Sequence, residues 1–151
     1  MTEELDKMLT DIVNMEDEEK VEIGKQGLKG IYIQLHEEED YSREEAAGFV
    51  IDLTKLFVSA DRKTASKEYE FFKNVTNANI TNDEFFVATN HGSNEKFVKA
   101  MFDRISSFGR NTRKAILLYA MALCSSDDHI IGEEIDLIEK ISDCDAEDDD
   151  F

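Results

Sequence analysis

Hydrophobic residues recur along this chain every three or four positions, the spacing that places them on one face of an α-helix. Residues 115–124 are apolar around nearly the whole circumference of such a helix, and residues 135–141 carry an apolar stripe between acids. A helix that is apolar all round is buried, whereas a striped one packs one face on a core. The segment 115–143 therefore predicts a central buried helix, a short acidic loop and an amphipathic helix.

A second segment repeats this pattern sixty-six positions earlier. Residues 49–77 again predict an apolar helix, a polar loop and an amphipathic helix, and Asp61 and Glu68 align with Asp127 and Glu134. Only three of the 29 aligned positions are identical, so the common register of apolar residues is the argument for an internal repeat. Two unrelated helical pairs with loops of equal length would share part of that register, and this alternative stays open.

Further helices are predicted before the repeated pairs. Leu5 to Val13 form one amphipathic helix, and Val21 to Leu35 continue a helical stripe that contains three glycines spaced three apart. The run GIYIQL has the alternation of a strand, but it would have no partner strand, so a helix is preferred. Glycines weaken a helix, and this spacing would also let another helix approach closely.

Helix boundaries are predicted by local motifs. Ser42 with Glu45, and Thr81 with Glu84, have the spacing of capping boxes that open a helix. Asn77 to Asn79 end the preceding helix. Gly109 suits a left-handed stop after an amphipathic helix at 97–105, and Asn111 or Thr112 is expected to cap the central helix.

The chain has no proline and only seven glycines, so nothing demands the frequent turns of a β-sandwich. Its 151 residues suit one domain with one core. We expect an all-α fold, a single compact domain of about seven or eight helices with two related helix-loop-helix repeats. The predicted domain spans residues 1–145, and residues 146–151 form an acidic tail.

The two loops resemble a known motif. An Asp followed seven residues later by a Glu, after an apolar helix, occurs at Asp61 and Glu68 and again at Asp127 and Glu134. This arrangement resembles the tellurite-resistance protein B-like (TerB-like) family over residues 43–143. Neither copy has the glycine that follows the Asp in that family, and the apolar residue of the motif is present only in the second copy, as Ile130.

The resemblance implies that the two loops lie near each other, so that a divalent cation could bind between them. Its ligands would be Asp61, Glu68, Asp127, Asp128 and Glu134, whose oxygens suit Ca²⁺ or Mg²⁺. The spacing is not that of an EF-hand. In an alternative that stays open, each Glu lies in the first turn of its helix and accepts hydrogen bonds from the preceding loop.

The family is associated with tellurite and other stress resistance and with membrane-linked signalling assemblies. The resemblance thus implies a non-enzymatic interaction or ion-sensing module that has protein partners, through which it could join a membrane-associated complex. No catalytic residue set, phosphate loop or zinc motif is present in the sequence. An enzyme would be credible only as a carboxylate site with a metal-bound water.

Net charge adds a second hypothesis. The total of −18 is concentrated at the ends, with −10 over residues 1–45, +3 over 46–126 and −11 over 127–151. Nucleic-acid binding uses clustered Lys and Arg, so direct nucleic-acid binding is disfavoured. Such a surface would attract cations or a basic partner. The alternative function is an acidic regulator, similar to a DNA mimic, that covers a basic partner surface.

Other features bear on location and on surfaces. No apolar run is long enough to span a membrane, and the acidic N terminus lacks the pattern of a secretion signal, so a cytoplasmic location is expected. Two cysteines do not make a disulfide framework. The adjacent pairs Phe71–Phe72 and Phe85–Phe86 are expected to lie in helices packed on two sides; an exposed member would instead mark a docking surface.

Overall fold

A computed structural model describes residues 3–58, 65–89, 95–126 and 132–148. In these ranges the chain forms eight helices and no strand, in one compact domain, as the sequence predicts. The helices are α1 (Glu3–Val13), α2 (Asp17–Glu37), α3 (Arg43–Val58), α4 (Ala65–Thr76), α5 (Asn82–Thr89), α6 (Glu95–Ser107), α7 (Arg110–Cys124) and α8 (Gly132–Asp148).

The core is built around α7, the apolar helix predicted to be central. Every residue from Tyr119 to Cys124 is buried, because α7 is covered by α2, α3, α4, α8 and α1. Its most extensive neighbour is α2, a single helix of 21 residues despite its glycines. The sequence preference for a helix over a strand in this region is confirmed.

The three glycines of α2 permit this packing. A Cβ atom on Gly27 would stand 2.7 Å from the backbone nitrogen of Tyr119, and one on Gly30 would stand 3.0 Å from the Cβ of Ala115. On the adjoining side, a Cβ on Gly24 would meet the ring of Phe71 of α4 at 2.6 Å. The glycine row therefore lets α7 and α4 approach the α2 backbone, which offsets its cost in helix propensity.

The two helical pairs of the sequence repeat pack differently. Helix α8 packs directly on α7, whereas α4 packs on α2, α5 and α7. In the described residues, α3 and α4 are not among the helix pairs in broad contact. The alternation of apolar and amphipathic helices is present, whereas the helix contacts of the two pairs differ, and the internal repeat stays a prediction.

Both predicted capping boxes are present. The Ser42 hydroxyl accepts a hydrogen bond from the Glu45 amide, and the Glu45 carboxylate accepts one from the Ser42 amide. Thr81 and Glu84 make the same reciprocal pair at the start of α5. Asn77, at a left-handed φ of 56°, follows the end of α4 where a break was predicted.

The predicted start of α7 is wrong. Gly109 is the N-cap residue, with an extended backbone rather than a left-handed one, and no side chain of α7 caps the helix. Two acidic residues that follow α2 accept hydrogen bonds from the start of α7 instead. Glu38 accepts hydrogen bonds from the Asn111 amide group and the Thr112 hydroxyl, and Glu39 accepts one from the Gly109 amide. These carboxylates complement the positive N-terminal end of the helix.

The pair Phe71 and Phe72 is buried on two sides, as preferred from the sequence. Phe71 contacts the ring of Tyr119 in the main core, whereas Phe72 packs with Phe85 in a second, smaller cluster. The side chain of Phe86 lies outside the described residues.

Helix α8 continues to Asp148, three residues past the domain boundary predicted at residue 145. No described helix has the length and apolar character needed to cross a bilayer.

Candidate site at the N-terminal ends of α4 and α8

Two carboxylates of the predicted ion site are buried inside the protein. Glu68 lies in the first turn of α4 and Glu134 in the first turn of α8, and each side chain is only 1% exposed. Asp61, Asp127 and Asp128 lie outside the described residues. The structure thus gives equivalent burial to the two glutamates that the sequence aligned sixty-six positions apart.

Burial of a carboxylate requires a compensating partner, because removal of the charge from water is expensive. Glu68 and Glu134 each interact with other groups of the protein. Position in the first turn of a helix itself favours a negative charge, because the free backbone N–H groups point toward it. Both the cation site and the capping role predicted from the sequence require this placement.

Glu68 acts electrostatically on Tyr119, which lies at the centre of the core. Burial raises the pKa of the Tyr119 phenol above its ordinary value, and the negative charge of Glu68 contributes in the same direction. The Thr54 hydroxyl donates to the Val50 carbonyl at 2.7 Å, so the Tyr119 hydroxyl donates to the Thr54 oxygen, also at 2.7 Å. Burial is thus the main cause of the raised pKa of Tyr119, and the Thr54 oxygen is the hydrogen-bond partner of its hydroxyl.

A buried ammonium group donates a hydrogen bond at the C-terminal end of α7. Lys20 of α2 is 1% exposed, and its Nζ donates a hydrogen bond of 2.7 Å to the carbonyl of Ser125, the residue that follows α7. The C-terminal carbonyls of a helix carry partial negative charge and lack intrahelical donors, so a cation is favourable here. Lys20 thus joins the start of α2 to the end of α7.

A small cavity of about 80 Å³ adjoins this contact. Lys20 and Ser126 line it together with Lys67, which comes from the first turn of α4. Ser126 is the second residue after α7, and α4 begins at Ala65. The start of α4 and the end of α7 consequently lie at the same end of the molecule.

The described residues do not form a cation site by themselves. Glu68 and Glu134 carry carboxylate oxygens, the ligand type that Ca²⁺ and Mg²⁺ prefer. Among the described residues, no group of three or more His, Cys, Asp or Glu side chains could hold a metal ion. The remaining ligands would have to come from Asp61, Asp127 and Asp128, and the ion stays a prediction.

Lys20 was not predicted as a site residue, although the sequence contains a signal for it. The buried residues of α2 are Lys20, Gly24, Gly27, Ile31 and Leu35, spaced as one helical face. Glu68 is likewise in register with Phe71, Phe72 and Val75, and Glu134 with Ile138 and Ile141. A charged residue in register with an apolar stripe is the common signal for these three buried charges.

No family model, curated protein or solved structure matches this chain. The resemblance to the TerB-like family is therefore one of the motif residues alone and stays a prediction.

Proposed function

We propose that the chain is a non-enzymatic helical module of the TerB-like kind, in which a divalent cation at the loops before α4 and α8 controls binding to a protein partner. The observation that supports this proposal is the pair of buried glutamates, Glu68 and Glu134, at equivalent positions of two helices. The motif resemblance suggests a stress-response setting and a membrane-associated partner complex.

The cation would act by changing the charge at this end of the core. Bound Ca²⁺ or Mg²⁺ would neutralise carboxylates that otherwise depend on protein donors alone. Lys20 already supplies one positive charge at the end of α7. The cation would bind away from that ammonium group, and Asp127 and Asp128 are the ligands proposed for it beside Glu134.

Calorimetric titration of the full chain with CaCl₂ and with MgCl₂ tests the proposal. We expect binding heat and a rise in melting temperature, both reduced in the Asp127→Asn and Glu134→Gln variants. Asp127→Asn is the sharper variant because it removes only a predicted ligand. Asp136→Asn is the matched control, since Asp136 is an exposed acid of the same helix as Glu134.

Absence of heat and of any melting shift in the wild-type chain would remove the cation from the function. If Asp136→Asn and Asp127→Asn both bound the cation more weakly than the wild-type chain, and to the same extent, the cation would be attracted nonspecifically to the net charge of −18.

The acidic regulator is the second candidate, and one structural observation favours it. Of the 15 acids in residues 1–45, all are exposed except Glu39, which is partly buried. The −10 charge of this region is therefore available to a basic surface. Capture of a defined oligolysine probe, compared at low and high salt, tests this function. We expect strong salt dependence, because exposed charges are screened over ~10 Å at 0.1 M salt. Binding that is insensitive to salt would exclude it.

A further inference from the structure

A groove lies far along α2 from Lys20, and the proposed cation function does not use it. Its volume is about 590 Å³, and it is enclosed by the second half of α2, the start of α3 and the end of α4 at Thr76. Typical small-molecule sites have volumes of ~300–1,000 Å³. The groove extends on α2 from Leu28 to Glu37, about 14 Å along the helix axis.

One end of this α2–α3 groove is apolar. Leu28, Ala46 and the ring of Tyr32 line it, and Ile33 borders it with 40% of its surface exposed. An isoleucine that exposed costs free energy in water, and a bound apolar chain would recover ~25 cal/mol for each Å² covered. The apolar lining alone does not identify the ligand.

The other end holds a guanidinium group without an acidic partner. Arg43 lines the groove at the start of α3, and among the described residues no carboxylate lies within ion-pair distance of it. Its charge is therefore available to an anionic ligand group. Tyr32 and Arg43 both line the groove. Burial raises the pKa of the Tyr32 phenol, and the Arg43 charge acts in the opposite direction.

From these contacts we propose that the α2–α3 groove binds a medium-chain monocarboxylate of the fatty-acid type. The carboxylate pairs with the Arg43 guanidinium and accepts a hydrogen bond from the Tyr32 hydroxyl. The hydrocarbon chain lies along Leu28, Ile33 and Ala46. A guanidinium presents two parallel N–H donors, which match the two oxygens of one carboxylate.

The charges around the groove favour a single negative charge on the ligand. Glu37 lines the same end as Arg43 and repels an anion. A single guanidinium matches the two oxygens of one carboxylate, so one negative charge on the ligand is enough to pair with Arg43. An alkylammonium head group placed against Arg43 would be repelled by the guanidinium.

Titration calorimetry of the full chain with sodium octanoate, 1-octanol and octylamine tests the proposal, because the three probes share one chain length. We expect octanoate to bind more tightly than octanol and octylamine not to bind. Arg43→Gln should lower the affinity for octanoate about five- to tenfold and leave the affinity for octanol unchanged, because only the ion pair is lost. Glu37→Gln should strengthen octanoate binding two- to threefold, on the order of one exposed charge interaction.

Ile33→Asp should abolish binding of both octanoate and octanol, because a carboxylate then replaces the apolar wall. Ile51→Asp is its matched control, since Ile51 on α3 is 45% exposed and does not line the groove. Lys114→Gln is the charge control for Arg43→Gln. Melting curves of all variants identify any change that comes from unfolding.

Three results would overturn the proposal. The first is octanoate binding that is unaffected by both Arg43→Gln and Ile33→Asp, which would place the ligand elsewhere. The second is equal losses in Ile51→Asp and Ile33→Asp. The third is no octanoate binding together with binding of an amphipathic helical peptide carrying one Glu, which would make the groove a protein-docking surface.

Discussion

Gly27 of α2 lies directly against the backbone of Tyr119 of α7. A Cβ atom on Gly27 would stand 2.7 Å from the Tyr119 nitrogen and 2.9 Å from its Cα, distances that backbone atoms cannot relieve by rotating. This contact fixes the separation of the two helices that share the largest interface in the fold. The stability of the core therefore depends on the absence of a side chain at one position.

Gly27→Ala should destabilise the protein. Alanine favours a helix over glycine by about 1 kcal/mol, but overpacking against backbone costs about 1–3 kcal/mol or more, so the steric effect is larger. Urea unfolding followed by circular dichroism measures the free energy of unfolding.

Gly48→Ala is the control, because Gly48 lies in α3 and a Cβ there meets nothing within 4 Å. That variant should gain stability by about 0.5–1 kcal/mol. Equal effects of the two substitutions would show that close packing at Gly27 does not limit stability.

Lys20→Met should cost about 1–3 kcal/mol, because it removes a charge-assisted hydrogen bond to the buried Ser125 carbonyl and keeps a similar apolar stem. Lys25→Met is the matched control on the same helix. Lys25 is exposed and lies 4.0 Å from Glu22, so its loss should change stability by less than about 0.5 kcal/mol. Thermal melting of the three proteins gives the comparison, and a neutral Lys20→Met would show that the contact adds no stability.

Tyr119→Phe should lower stability by about 1 kcal/mol, because the hydroxyl donates to Thr54 inside the core. The Thr54 hydroxyl keeps its own bond to the Val50 carbonyl, so no donor is left unsatisfied. A double-mutant cycle with Thr54→Val separates the Tyr119–Thr54 bond from other effects. Additive losses would mean that the two hydroxyls are not energetically coupled.

Stability should fall above pH ~10, in part because of Tyr119. Burial raises the pKa of the native phenol, so above the ordinary tyrosine pKa the unfolded chain loses a proton that the native state keeps. The contribution is complete below the unfolded pKa and is lost as pH rises toward the native one. Urea midpoints between pH 9 and 11 measure this, and the decline should be shallower in Tyr119→Phe. Parallel curves for the two proteins would contradict it.

Local rules predicted much of the fold. The apolar circumference of residues 115–124, the two capping boxes and the break at Asn77 each depend on neighbours in sequence, and the structure contains all of them. The prediction for the N-terminal cap of α7 was wrong because the helix start is hydrogen-bonded by Glu38 and Glu39, which lie about seventy positions earlier in the chain. No motif in the neighbouring sequence indicates a partner so far away.

In the candidate site, too, the features set by neighbours in sequence were predicted and those set by distant residues were not. Glu68 and Glu134 were selected from their spacing, and their burial follows from the apolar residues in register with them. Lys20 is in register with the buried face of α2 in the same way, but its partner Ser125 is 105 positions away and could not be predicted. The groove residues Arg43 and Tyr32 carried no sequence signal, since a missing ion pair is a property of the folded surface.

The sequence by itself determined that this protein is helical, where most of its helices begin and end, and which faces are buried, because these depend on periodicity and on contacts within a turn or two. Only the tertiary structure decided that α4 packs on α2 rather than pairing broadly with α3, that Lys20 closes α7, and that Arg43 borders an apolar groove. Those arrangements depend on contacts between distant segments, whose shapes and charges become complementary only after the helices have packed.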